Sequence, residues 1–470
     1  MTAPVLDLRR LDGWLLLGLL LLIAWLPVPI GSNHPLAVGV MEGAVFALLA
    51  VWMLAKGWSA AAAPKRLLAG SAARWVLVLL LAWLAYHLLQ VLPLPLEVVD
   101  WLNPTAADVY RYALEETDER LFTLSLDPGL SLQAFLQAAA YVSLLVLVIA
   151  LVNTRERARL LVYTMVTVVT LEALWGIAGI YAASGARARG TYINPNHFAG
   201  LLELGIGLTL GWLLTFGSTQ QRQGHWRQRL SGLLQSVNGR NPRLYGYLAL
   251  VVLFGALVLS ASRGGIIAML AAISLMFAIA AAVRGGQGRA LRLLGVAVLA
   301  FVVGAVVFGA DLFLKRLDQG FLDAEGRRQT ATATVLMVQS YPLFGSGSGT
   351  WGSLYPMFKA PEAHSMLKTE HAHNDHLELL AEQGVIGYLL LGGAILVALG
   401  VNLLALMRQD ALIRGLSFGC TLAMLSLLIH AWVEFNFHIP ANAAWFWVVL
   451  ALGLVVSALP DTDIKASSSA

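Results

Sequence analysis

Residues 368–387 read KTEHAHNDHLELLAEQGVIG, and they place three histidines and four acidic residues just before a long apolar run. Such a concentration of proton-carrying side chains beside apolar sequence is costly unless water reaches it. We therefore expect this stretch to lie just outside a lipid bilayer and to form half of an active site. The apolar run that follows then predicts a membrane-spanning helix.

The composition indicates a membrane protein. The chain has 470 residues, of which 58% are hydrophobic and 12% are charged, and its mean hydropathy is +0.73. A soluble chain would need far more polar surface, so the fold class predicted is an all-α polytopic membrane protein. The single cysteine, Cys420, lies in an apolar run and excludes an intramolecular disulfide.

Apolar windows long enough to cross ~30 Å of hydrocarbon recur along the chain. The twelve windows fall near 14–30, 36–55, 74–92, 133–152, 157–181, 197–217, 244–261, 264–283, 291–309, 385–407, 411–432 and 441–458. The predicted organisation is 1–92 with helices 1 to 3, a first long outer loop at 93–132, 133–309 with helices 4 to 9, a large outer loop at 310–384, 385–458 with helices 10 to 12, and a tail at 459–470.

Basic residues predict the orientation. If the N-terminus is cytoplasmic, 20 of the 31 Lys and Arg residues fall on the cytoplasmic side, as the positive-inside rule expects. Arg9 and Arg10 precede the first window without a small-residue cleavage site, which predicts an uncleaved span. Both termini are then cytoplasmic, and both long loops are periplasmic. The charged patch at 111–120 predicts a short helix lying on the membrane surface; a lid and a packing element are the alternatives.

Residues 186–200, ARARGTYINPNHFAG, predict one half of an anion site. Asn194 favours a turn, and Asn196 is a good N-cap for a helix that begins at His197. The N-terminus of that helix faces outward with unpaired N–H groups and partial positive charge, beside Arg189. The alternative is that such an arginine reaches lipid headgroups.

A second motif, SASRGG at 260–265, joins two predicted spans at the same outer surface. Ser262 is placed to cap the inward-running helix, with Arg263 in its first turn. An outer arginine in so tight a turn is unexpected under the positive-inside rule. A third cationic pair, Arg327 and Arg328, starts a helical stretch in the large loop.

The histidine cluster has three possible interpretations. If Asn374 or Asp375 caps a helix, His373 and His376 share one face of it, and one histidine acts as a general base or orients an acceptor. A transition-metal site that also includes His371 is the second interpretation, and ordinary loop histidines are the third.

Acidic residues within the predicted spans suggest a polar chamber open to the outside, or else structural pairing inside the bundle. They are Glu42, Glu172, Glu203 and Glu434, together with His87. By contrast, the GSGSG run at 345–349 has no preceding strand and no following Lys-Ser/Thr, so it predicts a flexible turn and not a phosphate loop. Gly207 and Gly211 predict close helix packing.

These motifs resemble, in order, the O-antigen ligase and polymerase superfamily of bacterial envelope glycosyltransferases. The resemblance rests on RGTYINPNHFAG, SASRGG, a long outer loop with an arginine, PLFGSGSG and HNDHLELLAEQGVIG, and it covers roughly residues 186–400. Twelve spans with the large periplasmic loop between the ninth and tenth also match that family. The resemblance implies a bacterial inner-membrane location.

The resemblance assigns roles to individual residues. The ligase His-x10-Gly motif falls on His373 and Gly384, the loop arginine falls on Arg327, and the diphosphate-binding arginines look like Arg189 and Arg263. The expected catalytic residues are His373, Arg327 and Arg328; the expected substrate-binding residues are Arg189, Arg263, Asn194, Asn196, His197, Asn374, Asp375 and Glu382.

One departure concerns the ligase Arg-x3-Leu motif, because Ala331 stands four residues after Arg327 and Thr332 four residues after Arg328. The expected function is a ligase that moves a polyprenyl-diphosphate-linked glycan to a sugar hydroxyl, on lipid A-core or another glycan, by single displacement. A polymerase that joins repeat units on the lipid carrier is the alternative, and a non-enzymatic transporter of lipid-linked glycans is a second one.

No metal or other cofactor is expected. The first outer loop, PVPIGSNHP at 27–35, has no acidic residue to hold a divalent cation, so arginines and helix N-termini must supply the positive charge. The expected partners are the glycan donor, the acceptor and membrane lipids, with no nucleic acid.

Overall fold

The computed structural model describes residues 8–56, 71–113, 121–182, 187–216, 242–284, 320–359 and 369–461. Several predicted features lie outside the described residues: the ninth span at 291–309, the end of the charged patch at 114–120, the first part of the large loop at 310–319 and the tail from 462 onward.

The described chain is built from α-helices, numbered here in chain order. They are α1 (Leu8–Trp25), α2 (Pro35–Lys56), α3 (Ser71–Gln90), α4 (Leu96–Leu102), α5 (Pro104–Ala113), α6 (Pro128–Leu151), α7 (Arg155–Ala182), α8 (Pro195–Thr215), α9 (Pro242–Leu259), α10 (Arg263–Arg284), α11 (Gly320–Ser340), α12 (Trp351–Phe358), α13 (Asp375–Ala405), α14 (Ala411–His430) and α15 (Pro440–Ser457). A two-residue antiparallel ladder pairs β1 (Leu94–Pro95) with β2 (Leu121–Phe122).

Within the described ranges, ten helices are long and apolar enough to cross a bilayer, namely α2, α3, α6 to α10 and α13 to α15. Each covers one predicted window, which confirms the all-α polytopic class. The first predicted window is also helical, in α1, which ends at Trp25 just before Pro27. Proline lacks an N–H and fixes its own φ, so a helix usually stops before it.

Two central helices, α8 and α14, pack closely because small residues line their contact. A Cβ added at Gly211 of α8 would lie 2.5 Å from the Cα of Gly419, and one at Gly207 would lie 2.7 Å from the Cβ of Ala423. In an apolar surrounding, such close backbone approach is a main source of helix association. The predicted packing role of the two α8 glycines is confirmed.

Helix α13 begins ten residues before the predicted window start at 385 and is kinked at Gly384. That glycine has φ 60° and ψ −172°, a region that essentially only glycine occupies. The segment after Pro342 bonds into the kink: Val385 N donates to the carbonyl of Pro342 at 2.9 Å, and Ser346 N donates to that of Ala381 at 2.9 Å. The turn that was predicted to be flexible is thus packed on α13, and its N–H groups bind protein acceptors.

The first outer segment packs against this same turn. Asn103 Nδ2 donates to the carbonyl of Gly345 at 2.9 Å, and Thr105 Oγ1 donates to that of Ser340 at 2.7 Å. These contacts favour the packing interpretation of the segment over the lid. The two outer segments form one layer at a single end of the bundle.

Candidate functional site

Helices α8, α10 and α13 begin near the C-terminal end of α14, and asparagines cap α8 and α13. Asn194 Oδ1 accepts from Asn196 N at 2.9 Å at the start of α8, and Asn374 Oδ1 accepts from Leu377 N at 3.0 Å at the start of α13. The prediction that Asn196 caps α8 was wrong, because Pro195 takes the first helical position, where its missing N–H costs nothing. The side chain of Asn196 is therefore available for other contacts.

The first arginine motif is tied to the second by Arg187. Its Nε donates to the carbonyl of Ser260 at 2.6 Å, and its Nη2 donates to Asn196 Oδ1 at 2.9 Å. This half-buried arginine therefore holds protein groups together, which the lipid-headgroup interpretation did not anticipate. Arg189 is exposed and precedes Gly190, whose φ is +55°.

The second motif forms a tight turn that starts α10. Ala261 has φ +48°, and Ser262 Oγ accepts from Gly265 N at 3.3 Å, so Ser262 caps the helix as predicted. Arg263 is the first helical residue, as the sequence led us to expect. A Cβ at Gly264 would lie 2.9 Å from the Val433 side chain, which places this turn against the α14–α15 connection.

The loop arginines lie on α11, which starts at Gly320, earlier than the helical stretch predicted from the sequence. Arg327 reaches the α14–α15 connection: its Nη1 donates to the carbonyl of Val433 at 3.0 Å, and its Nη2 lies 3.3 Å from Glu434 Oε2. Arg328, at the next position, is exposed.

The predicted base, His373, also contacts Glu434. Its Nδ1 lies 2.8 Å from Glu434 Oε1, and its side chain is 34% exposed. Its φ is +52°, a conformation that non-glycine residues rarely adopt. Where such residues do occur, they cluster at functional sites. Because Asn374 is the cap, His373 lies before α13 and does not share a helix face with His376, contrary to the prediction. His376 instead bonds the carbonyl of Leu428 at 3.0 Å.

Glu434 is the acceptor that joins these elements. Its side chain is 1% exposed, and it accepts from Asn196 Nδ2 at 2.6 Å, while His197 Nε2 lies 3.8 Å from it. We call Asn196, His197, Arg327, His373 and Glu434 the Glu434 cluster. The sequence placed Glu434 within a span, but α14 ends at His430 and Glu434 lies in the connection that follows.

A second cluster lies beside the first. His371 Nδ1 is 2.8 Å from Glu378 Oε1, while His438 has Nδ1 2.8 Å from Asp375 Oδ1 and Nε2 3.3 Å from Glu378 Oε1. We call these four residues the His438 cluster. Phe435 lies between the clusters, with its ring centroid 4.6 Å from that of His371 and 4.8 Å from that of His373.

The His438 cluster also contains the residues best placed to hold a metal ion. One ligand atom from each of His371, Glu378 and His438 lies within 4.8 Å of the others, and two histidines with a carboxylate suit zinc. A metal requires neutral imidazole. Burial lowers the pKa of His438, but the carboxylates of Glu378 and Asp375 outweigh burial and raise it to about 10. With its ring protonated, His438 forms ion pairs with the carboxylates of Asp375 and Glu378.

The remaining predicted residues have structural partners. Glu382, expected to bind substrate, is buried and accepts from Trp351 N at 3.0 Å. Among the acidic residues of the spans, Glu172 accepts from Thr191 N at 3.0 Å, and Glu203 lies 2.7 Å from His430 Nδ1. These contacts favour the pairing interpretation over a chamber lined by free carboxylates.

The α14–α15 connection is what sequence reasoning missed. Its stretch WVEFNFHIP supplies both Glu434, which was expected only as one acidic residue of a polar chamber, and His438, which was not singled out. Two titratable residues in a short link between strongly apolar windows are a usable signal. Arginines, helix N-termini and a histidine–carboxylate pair then converge, which suits stabilisation of an anion beside proton transfer.

Part of the chain is similar to a known protein family. Residues 248–392 match the family model described as O-Antigen ligase. That range includes the SASRGG turn, both loop arginines and the histidine stretch. Comparison with curated proteins found no match. The family match, together with the membrane helices, supports glycan transfer of the ligase or polymerase type in general. The match over residues 248–392 supports the resemblance of this chain to the O-antigen ligase and polymerase superfamily.

Proposed function

We propose that the chain transfers a polyprenyl-diphosphate-linked oligo- or polysaccharide to a sugar hydroxyl on the periplasmic side of the bacterial inner membrane. The observation that carries the proposal is the meeting of His373 and Arg327 on one buried carboxylate, Glu434. It brings a proton acceptor and a cation from the large loop to the outward start of α8. Those groups match the two demands of the reaction, which are proton removal and charge stabilisation.

In the proposed reaction, the acceptor hydroxyl oxygen attacks the anomeric carbon of the lipid-linked sugar. The bond from that carbon to the diphosphate oxygen breaks, and its electron pair leaves with the diphosphate. His373 accepts the hydroxyl proton through Nε2, because Nδ1 is already bonded to Glu434. A single displacement of this kind needs no covalent enzyme intermediate.

Arginines take the place of a divalent cation in this mechanism. Arg189 and Arg263 bind the diphosphate, helped by the partial positive charge at the N-terminus of α10. Arg327 closes the site from the loop side. The first outer loop at 27–35 contains no acidic residue, and no proposed step uses a metal ion. We therefore expect that a chelator leaves transfer unchanged.

A polymerase that joins repeat units on the lipid carrier is the second candidate. Ala331 and Thr332 stand where the ligase Arg-x3-Leu motif needs leucine, and this departure favours the polymerase. Both activities use the same donor and release the same lipid diphosphate. They differ in the acceptor, so the acceptor distinguishes them.

The test is transfer by the purified protein in lipid nanodiscs, supplied with a polyprenyl-diphosphate repeat unit, with and without lipid A-core and with and without chelator. We expect release of free polyprenyl diphosphate together with a longer or transferred glycan. Lengthening without lipid A-core identifies a polymerase, whereas dependence on lipid A-core identifies a ligase. No release under any of these conditions would overturn the proposal.

The matched variants are His373→Gln and His376→Gln. Both residues lie in the same stretch, but His376 bonds the carbonyl of Leu428 and not Glu434. Loss of a general base typically lowers turnover by about 10²- to 10⁴-fold, so we expect such a loss in the first variant and near-normal turnover in the second. Equal turnover in both would remove His373 as the base.

A further inference from the structure

We propose that Glu434 is the positioning residue of the reaction: it holds the His373 ring with Nδ1 as donor and Nε2 free to take the acceptor proton. This inference rests on the proposed function, because it needs His373 to act as the base. It adds a residue from the α14–α15 connection, 61 positions away in the chain, to the catalytic arrangement.

The geometry restricts the histidine from several directions. Its Nδ1 lies 2.8 Å from the carboxylate, and the Phe435 ring stands nearly perpendicular to the imidazole at 76°. The backbone of His373 is held in the left-handed region, where the cap at Asn374 follows at once. A ring that is fixed at Nδ1 and still one-third exposed keeps its other nitrogen available to a substrate.

Each oxygen of Glu434 faces hydrogen-bond donors. Oε1 receives His373 Nδ1 at 2.8 Å and Phe435 N at 3.3 Å, whereas Oε2 receives Asn196 Nδ2 at 2.6 Å and Arg327 Nη2 at 3.3 Å. An ionised carboxylate is acceptor-only and fits this environment, but a glutamine amide must turn its NH₂ group toward one pair of donors. Either orientation of glutamine therefore disturbs the base or its supports.

The charges around Glu434 keep it ionised. Burial would raise its pKa, but contacts with His197 and His373 outweigh burial and hold the pKa well below its usual value. Among the described residues, the titratable and charged groups that face the cluster are His197 from α8, Arg187 from the segment before α8, Arg327 from α11, His373 from the loop and His430 from α14. When His373 gains the acceptor proton, its positive charge forms against a carboxylate that is already in place.

The experiment compares Glu434→Gln with Glu378→Gln. Both carboxylates are nearly fully buried and accept from the Nδ1 of a loop histidine at 2.8 Å, but the partner of Glu378 is His371. We expect Glu434→Gln to lower kcat about 10²-fold or more with little change in KM. The acid limb of its kcat–pH profile should move to lower pH by roughly one unit, while Glu378→Gln keeps the wild-type position of that limb.

Size-exclusion chromatography and thermal unfolding establish whether each variant is folded. If Glu434→Gln does not fold, Glu434→Asp preserves the charge but withdraws the oxygens by one methylene, and it should lower kcat while the acid limb stays in place. A folded Glu434 variant with wild-type kcat, or a Glu434→Gln profile identical to that of Glu378→Gln, would overturn the inference.

The same assay separates this inference from the function on which it rests. If His373→Gln retains wild-type turnover, the proposed base is wrong and the role of Glu434 falls with it. If His373→Gln is inactive but Glu434→Gln matches wild type in kcat and pH profile, the proposed function stands and the positioning role alone is rejected.

Discussion

His438 Nδ1 lies 2.8 Å from Asp375 Oδ1, so a histidine in the last connection between helices is bonded to the first residue of α13. A backbone bond supports the same junction, because Phe437 N donates to Asp375 Oδ2 at 3.1 Å. Glu378, one turn further along α13, faces the other nitrogen of the His438 ring. The loop end of α13 and the α14–α15 connection therefore form one unit.

This unit predicts a loss of stability at high pH. The pKa of His438 is raised to about 10 from an unfolded value near 6.5, so its stabilising contribution is complete below about pH 6.5 and is lost as pH rises through about 10. Thermal unfolding of the purified protein should therefore show Tm falling progressively between about pH 6.5 and 10, with no further loss from this group at higher pH. In His438→Gln, Tm should be lower at neutral pH and that fall smaller; equal falls in both proteins would contradict the assignment.

Arg263 is predicted to be essential for turnover but dispensable for folding. One preorganised donor to a developing anion is typically worth about 3 kcal/mol, so Arg263→Ala should lower kcat by two orders of magnitude or more. The control is Arg111→Ala, because Arg111 forms exposed ion pairs with Asp100 and Asp108, which contribute little to stability. Release of polyprenyl diphosphate and Tm are measured for both; unchanged release in Arg263→Ala would remove the diphosphate assignment.

Gly384 is predicted to be intolerant of any side chain. A Cβ there would lie 2.2 Å from the carbonyl oxygen of Leu343, and its backbone conformation alone costs a non-glycine residue about 1–3 kcal/mol. Gly384→Ala should therefore lower Tm and the yield of monodisperse protein. Gly392→Ala is the matched control in the same helix, where an added Cβ would meet nothing within 4 Å, and it should behave as wild type. A stable Gly384→Ala protein would show that the kink is not required.

Labelling with a thiol reagent tests the orientation. The native Cys420 is buried, so it gives a low background for cysteines introduced at exposed positions. Glu370→Cys, beside the histidine stretch, should react with a membrane-impermeant maleimide in intact spheroplasts. Gln409→Cys, in the connection between α13 and α14, should react only after the membrane is permeabilised. The reverse pattern would place the histidines in the cytoplasm, away from a periplasmic donor.

The periodic and local features of this chain were predictable from its sequence. The apolar windows gave the spanning helices, and the residue types beside them gave the Asn374 cap, the Ser262 cap and the position of Arg263 at the start of α10. Each of these depends on neighbours within a few residues. Local sequence is sufficient to predict a helix N-terminus when a side chain next to it accepts hydrogen bonds from its free N–H groups.

Contacts between distant segments were not predictable in the same way. Glu434 joins Asn196, Arg327 and His373 across 238, 107 and 61 positions, and no local pattern specifies such partners. The kink at Gly384 also had no periodic signal, because Gly384 lies where the polar first turns of α13 meet the apolar window that starts at 385. The early start of α13 was missed because its first turns are polar, since they face the outer layer and not lipid.

The shared carboxylate has a consequence for biosynthesis. Glu434 follows every other member of its cluster in the chain, in the connection between α14 and α15. An unfinished chain that already contains Arg327 and His373 still lacks Glu434, the carboxylate that contacts both. If Glu434 has the proposed positioning role, the arrangement around His373 is complete only once the connection that follows α14 has been made.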